Sequence, residues 1–170
     1  MTQAEETRTH SVQESISLLQ EAASADHPVD AVVVLDFGSQ YSQLITRRVR
    51  EIGVYGELIA HDATWGEVEK LNPKAVILSG GPASVYAEGA PQIPDWVLEK
   101  DIPTLGICYG MQLIAHALGG KVEPADHREY GPASLNVEPV GDAERLFEGL
   151  PGTLNVWMSH GDHISTLPQG

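Results

Sequence analysis

The sequence predicts an α/β fold: an open, mostly parallel sheet, mixed at one end, with helices on both faces. Two observations carry this prediction. Short apolar runs rich in β-branched residues alternate with segments of helical pattern, as they do when helices cross between parallel strands. The chain is also of single-domain size, because 170 residues with 42% apolar and 20% charged content can form one core without disulfides.

The elements of the first half follow in order. Residues 31–35 are a β-branched run and are predicted to be the first buried strand. The helix over residues 39–52 has Ser39 as a candidate N-cap and ends where Gly53 follows it. A second strand over residues 54–60 and a short helix over 65–70 complete this half.

The second half begins with a third strand over residues 75–78. A helix over 94–100 starts with Pro94, which suits a first helical turn, and a fourth strand over 104–107 leads into an apolar helix. After Gly120 the pattern changes. Residues 133–137 and 154–158 resemble strands with no long helix between them, so the sheet is expected to become mixed at that end.

The first thirty residues are predicted to be an extension of the domain. Residues 1–30 contain six acidic residues and one arginine, and no strand-like run. Val12, Ile16 and Leu19 recur at helical spacing, so the extension is expected to be either one amphipathic helix or disordered. The domain itself is expected to occupy residues 31–170.

The net charge and the cysteine content limit the classes of binding partner and the cellular compartment. Ten Lys and Arg residues against 24 Asp and Glu residues give a formal net charge of −14. Nucleic acid and anionic membranes are therefore poor partners, because binding phosphates needs concentrated positive charge, and a neutral or zwitterionic substrate is favoured. The single cysteine excludes an internal disulfide and fits a reducing compartment, so we expect a cytoplasmic location.

The most informative segment is Gly106-Ile107-Cys108-Tyr109-Gly110, where a buried strand gives way to an apolar helix. It has the pattern of a nucleophile elbow, whose tight turn requires small residues two positions before and after the nucleophile. The turn would hold the Cys108 sulfur beside a helix N-terminus, which favours the thiolate. A lone buried cysteine is otherwise a small apolar residue, and the two glycines favour the catalytic interpretation.

A cysteine that attacks a carbonyl group needs hydrogen-bond donors for the oxyanion. The backbone amide of Tyr109 directly follows the nucleophile and is one candidate. The other is the amide of Gly81 in Ser79-Gly80-Gly81-Pro82, which follows the third strand and therefore lies at the same edge of the sheet. Pro82 biases Gly81 toward an extended backbone. Taken alone, this segment also fits a tight turn.

Gln112 lies four residues after Cys108, so the two share a helix face and the Gln112 amide could orient an amide substrate. A partly solvated glutamine is the alternative.

A general base for Cys108 is harder to find among the histidines. His116 lies about 12 Å from Cys108 along the helix axis, beyond the reach of proton transfer. His160 and His163 lack a third ligand for a metal, and a loop that contacts substrate is the better interpretation.

Several segments together resemble the class I, or triad, glutamine amidotransferases: residues 34–41, 47–51, 78–82, 106–112 and 156–162, in family order. Cys-Tyr-Gly-Met-Gln at residues 108–112 is similar to the branch of the family that supplies ammonia for the synthesis of GMP. The resemblance implies that Cys108 forms a γ-glutamyl thioester, that the amides of Gly81 and Tyr109 hold the oxyanion, and that Gln112, Ser159 and His160 bind glutamine.

The resemblance also implies partners outside these residues. The glutaminase step needs no cofactor or metal, whereas ATP and Mg²⁺ would serve an ATP-pyrophosphatase synthetase domain that aminates XMP, in the same full-length chain or on a separate polypeptide. The family's catalytic His and Glu are expected beyond Gly170. We therefore expect a C-terminally truncated domain that alone hydrolyses glutamine very slowly. A homodimer formed through regions outside this chain is left open.

Two other interpretations stay open. One is a non-catalytic, amidotransferase-like module that binds glutamine or regulates a synthetase. The other is a different cysteine hydrolase on a similar sheet, such as a peptidase. The Ser159-His160-Gly161-Asp162 segment disfavours the peptidase, and the retained elbow around Cys108 disfavours the non-catalytic module.

Overall fold

The computed structural model describes residues 30–138 and 141–169. The extension predicted for residues 1–30 lies outside the described residues apart from Asp30. The first elements are β1 (Ala31–Asp36), α1 (Ser42–Glu51), β2 (Tyr55–Ala60), α2 (Trp65–Val68), a 3₁₀ turn (Glu69–Leu71) and β3 (Pro73–Leu78). They are followed by α3 (Asp95–Glu99), β4 (Thr104–Gly106), α4 (Tyr109–Ala117), β5 (Lys121–Asn136), α5 (Asp142–Leu146) and β6 (Thr153–Thr166).

The first four strands form one sheet in the order β2-β1-β3-β4, and every neighbouring pair is parallel. This confirms the predicted α/β class. Because the strands are parallel, their carboxyl ends lie at the same edge of the sheet. The loops after β1, β3 and β4 therefore meet there.

The last two strands correct one part of the prediction. The pattern of residues 133–137 and 154–158 predicts an extension of the central sheet that makes it mixed. Instead, β5 and β6 pair antiparallel with each other in a separate two-stranded sheet. Strands that are close in sequence tend to pair with each other, and this ribbon satisfies its ladder without a partner in the central sheet. Its register shifts between Pro124 and Glu129.

Helices pack on both faces of the central sheet. Gly56 lies beside Val32 in the ladder, and a β-carbon on Gly56 would be 3.1 Å from the Val49 side chain, so α1 covers this face. Neighbouring residues of a strand point to opposite faces, so Val33 and Leu35 face the other side. There the core includes these fully buried or nearly buried residues of strands and helices: Val33, Leu35, Val76, Leu78, Val68, Trp96, Val97 and Leu113. None of the helices in the described ranges is long and apolar enough to cross a membrane.

The first helix starts later than the sequence predicts. Ser39 does not cap it; its hydroxyl oxygen instead accepts a hydrogen bond from the Tyr41 amide at 3.1 Å. The Asp36 carboxylate accepts hydrogen bonds from the Gly38 amide, at 2.9 Å, and from the Ser42 hydroxyl, at 2.7 Å. These local bonds hold residues 37–41 in a loop at the sheet edge, so the helix begins at Ser42.

Candidate active site

Cys108 occupies the turn between β4 and α4. It is the N-cap of α4, with φ 51° and ψ −110°, a backbone conformation that non-glycine residues seldom adopt. The amide of Ile107 donates to the carbonyl of Leu78 at 3.0 Å, and that of Gly110 donates to the carbonyl of Ser79 at 3.1 Å. Both sides of the turn are thus fastened to the end of β3, which keeps Cys108 in this conformation.

The two glycines flanking Cys108 are required by close backbone contacts. A β-carbon on Gly106 would lie 2.5 Å from the amide nitrogen of Met111, and one on Gly110 would overlap the carbonyl oxygen of Leu78. Real β-carbons do not approach backbone atoms this closely. The geometry is therefore that of the nucleophile elbow predicted from the spacing of small residues.

Cys108 lines the cavity and is exposed, with protein around part of its side chain. Burial raises the pKa of the Cys108 thiol. The sequence predicts that the helix N-terminus favours the thiolate, and burial acts in the opposite direction because it penalises the charged form of the thiol. None of the described side chains that line the cavity is Lys, Arg or His, so no cation among them stabilises the thiolate.

Two backbone amides suited to an oxyanion lie beside this cysteine. A β-carbon on Gly80 would be 3.6 Å from the β-carbon of Cys108, so the glycine loop after β3 contacts the elbow directly. Gly81 must be glycine, since a β-carbon there would be 2.6 Å from the carbonyl oxygen of Phe37. Within residues 30–138 and 141–169, neither the Gly81 amide nor the Tyr109 amide donates a hydrogen bond. Both residues line the cavity.

Ser79 holds the glycine loop in place, a role that the sequence pattern did not predict. Its side chain is fully buried. The hydroxyl oxygen accepts a hydrogen bond from the Phe37 amide at 3.0 Å and donates one to the carbonyl of Gly80 at 2.9 Å. The loops after β1 and β3 are thus joined through one hydroxyl group. In the sequence, the only signal for this role of Ser79 is its place directly before the two glycines of the loop after β3.

The cavity has a volume of about 900 Å³. It is bordered by the loops after β1, β3 and β4 and by one face of the β5–β6 ribbon, through Gly38, Ser39, Gln40, Tyr41, Gly80, Gly81, Pro82, Ala83, Ser84, Tyr86, Cys108, Tyr109, Gln112, Pro124, Ala125, Ser159, Gly161 and Asp162. Among these lining residues Asp162 is the one Asp, Glu, Lys or Arg. The cavity thus combines a thiol, amides and hydroxyls with a single carboxylate.

The structure brings together most of the predicted substrate residues. Gln112 is only 5% exposed, and its amide nitrogen donates to the carbonyl oxygen of Asp162 at 3.0 Å. Ser159 and Gly161 line the cavity from β6. The backbone of His160 pairs with that of Glu129, and its side chain lies outside the described part of the structure. Asp162, which the sequence marks only as part of a motif, also lines the cavity.

Two other histidines that the structure describes, His61 and His116, do not line the cavity. The ring of His61 is 5.4 Å from that of Phe37, and His116 is in the last turn of α4, as predicted. In the portion of the chain that the structure describes, no three His, Cys, Asp or Glu side chains come together as a metal site requires.

The chain is similar to known proteins of one family. Residues 33–170 match the family described as glutamine amidotransferase class-I. The GMP synthase [glutamine-hydrolyzing] of Thermomicrobium roseum is 57% identical over 159 residues, which cover 91% of this chain and 30% of that protein. The Bacillus subtilis enzyme of the same name is 56% identical over 141 residues, or 83% of this chain and 27% of its own length.

A solved structure is also similar. The crystal structure of a protein described as a GMP synthase subunit from Thermoplasma acidophilum superposes with a TM-score of 0.70 at 32% identity, covering 84% of this chain and 70% of that one. This chain spans less than a third of the length of the two curated relatives. The match to the family covers most of the chain and includes the elbow, the glycine loop and the Asp162 segment, so the chain belongs to the class I glutamine amidotransferases.

Proposed function

We propose that this domain hydrolyses glutamine through Cys108 and supplies the ammonia for the amination of XMP to GMP. The observation that carries the proposal is the pairing of a cysteine in a nucleophile elbow with two adjacent backbone amides, of Gly81 and Tyr109, that have no hydrogen-bond partner among the described residues. An elbow cysteine with free amide donors suits attack on a carbonyl group.

In the proposed reaction, the sulfur of Cys108 attacks the side-chain carbonyl carbon of glutamine and forms a carbon–sulfur bond. The carbonyl oxygen becomes an oxyanion and accepts hydrogen bonds from the amides of Gly81 and Tyr109. When the tetrahedral intermediate collapses, the carbon–nitrogen bond breaks, and the nitrogen leaves as ammonia after it takes the proton that the base removed from the thiol. Water then hydrolyses the thioester, which releases glutamate and restores the thiol.

The cavity is suited to an amino acid. Glutamine is a zwitterion, and the carboxylate of Asp162, which lines the cavity, is proposed to pair with its α-ammonium group. Gln112, Ser159 and His160 are proposed to bind the remaining polar groups of the substrate. Gln112 supports this role because its amide nitrogen already holds the carbonyl of Asp162, so one side chain links the elbow helix to the segment that carries the carboxylate.

The base that activates Cys108 is proposed to be a histidine paired with a glutamate, as the family resemblance implies, in a segment beyond Gly170. The raised pKa of the Cys108 thiol supports the need for such a partner, because a neutral thiol is a weak nucleophile. ATP and Mg²⁺ would act in a separate synthetase domain, with no metal or cofactor in the glutaminase step. We place the activity in the cytoplasm, and any homodimer outside these residues.

A chloroketone analogue of L-glutamine tests this function. The thiolate displaces chloride, forming a carbon–sulfur bond as the carbon–chlorine bond breaks, and mass spectrometry locates the label. We expect labelling of Cys108 that L-glutamine blocks and D-glutamine does not, and no labelling of Cys108→Ala. Glutamine binding without labelling would instead indicate a non-catalytic module. Labelling that glutamine leaves unchanged would indicate another cysteine hydrolase and would overturn the proposal.

A further inference from the structure

Tyr86 lies in the loop that follows the Gly80–Gly81 segment and lines the cavity. Its hydroxyl group donates a hydrogen bond to the Asp162 carboxylate at 2.9 Å, across 76 residues of sequence. The side chain is 49% exposed, so this bond lies at the mouth of the cavity rather than in the core.

Asp162 is held at two points. Tyr86 binds its carboxylate, and the side-chain amide of Gln112 donates to its carbonyl oxygen at 3.0 Å. Among the described residues, these are the two hydrogen bonds that β6 makes to parts of the domain other than β5. Three segments therefore meet at one residue: the loop after β3, the elbow helix α4 and the cavity-facing part of β6.

The hydrogen bond between Tyr86 and Asp162 helps to place the β5–β6 ribbon relative to Cys108. The β5–β6 ribbon is a separate sheet, so hydrogen bonds of the central sheet do not determine how far it lies from Cys108. The register shift between Pro124 and Glu129 interrupts the ladder just where the ribbon borders the cavity. The placement of Asp162 over the elbow consequently depends on side-chain contacts such as the one from Tyr86.

We propose that Tyr86 is a positioning residue for substrate: its hydroxyl orients the Asp162 carboxylate toward the α-ammonium group of an amino acid bound at Cys108. The inference rests on the proposed function, because it assumes that the cavity binds glutamine. Tyr86 does not touch the reacting atoms, so its loss weakens substrate binding and leaves the reactivity of the thiol unchanged.

The chain offers a matched control. Tyr55 is 43% exposed and its hydroxyl also donates to a carboxylate, that of Glu57, at 2.9 Å. Tyr55 lies on β2, at the far edge of the sheet from β4, and does not line the cavity. Tyr86→Phe and Tyr55→Phe therefore each remove one exposed tyrosine–carboxylate bond, but only the first touches the proposed substrate site.

The test uses the whole chain and measures the rate at which iodoacetamide alkylates Cys108, with and without L-glutamine. In Tyr86→Phe we expect half-protection to need about tenfold more glutamine, roughly the worth of one hydrogen bond to a charged group. The rate without glutamine and the melting temperature should match the wild type, and Tyr55→Phe should change none of the three.

Different results would contradict the proposed function and the proposed role of Tyr86. If glutamine does not protect wild-type Cys108, the proposed function is wrong and this inference with it. If glutamine protects the wild type and Tyr86→Phe equally, the function stands and the role of Tyr86 is wrong. A lower melting temperature with an altered alkylation rate in the absence of glutamine would show that Tyr86 is merely structural, which also overturns the inference.

Discussion

Replacing Gly110 by alanine tests whether the elbow geometry is enforced by packing. The new β-carbon would overlap the carbonyl oxygen of Leu78 and lie 2.6 Å from its β-carbon. Overpacking by one carbon costs about 1–3 kcal/mol, and the upper end applies because the neighbours include the backbone of β3. Alanine gains about 1 kcal/mol in a helix over glycine. The net expectation is a loss of about 2 kcal/mol, or about 4–8 °C in melting temperature.

Gly66 provides the control for this substitution. Gly66 and Gly110 are each the second residue of a helix, α2 and α4, but a β-carbon on Gly66 would meet nothing within 4 Å. Gly66→Ala should therefore raise the melting temperature slightly, through helix propensity alone. Thermal unfolding followed by circular dichroism measures both variants. If Gly110→Ala were as stable as Gly66→Ala, close packing would not be what requires glycine beside Cys108.

Two further predictions concern the groups around the elbow. Ser79→Ala leaves the Phe37 amide without its acceptor and should destabilise the protein by about 1–3 kcal/mol in urea unfolding. The control Ser165→Ala loses an exposed 3.4 Å hydrogen bond to the Lys121 carbonyl and should change stability by less than about 0.5 kcal/mol. Similar losses of stability in both variants would contradict the role of Ser79. Because burial raises the pKa of the Cys108 thiol in the folded state, stability should be constant below the pKa of an unfolded cysteine and should fall as the pH rises through the folded value. Unfolding measured across this alkaline range should show the fall in the wild type and a smaller one in Cys108→Ala; equal pH profiles would mean that the thiol is not desolvated.

The parallel sheet could be predicted because each of its strands and each of the helices between them has a recognisable pattern in its own short stretch of sequence. The β-branched run at the start of β1 and the glycine that ends α1 specify their elements without reference to distant residues, and Gly53 does have the positive φ, +80°, that this role requires. The ribbon was harder to predict. Most of β5 has no regular alternation of apolar and polar residues, so its sixteen-residue length depends on pairing with β6 rather than on local pattern.

The same distinction applies to the site. The sequence could bring Cys108, Gly81 and Tyr109 together at one cavity because an elbow and a glycine loop are short segments whose geometry depends on their own spacing. Tyr86 could not, since its contact with Asp162 depends on the path of a long loop and on the placement of a separate ribbon. Glu67, by contrast, forms a capping box with Thr64, and the Thr-x-x-Glu spacing at residues 64–67 is a local signal for the start of this helix.

The most direct test is a crystal structure of Cys108 covalently bound to the chloroketone analogue of L-glutamine. In this adduct the sulfur is bonded to the methylene carbon beside the ketone, so the ketone oxygen lies one bond farther from the sulfur than the oxyanion and serves as its stable stand-in. This oxygen should lie about 2.7–3.1 Å from the amide nitrogens of both Gly81 and Tyr109, with the α-ammonium group beside Asp162. A carbonyl oxygen pointing into solvent, away from both amides, would contradict the proposed role of the elbow.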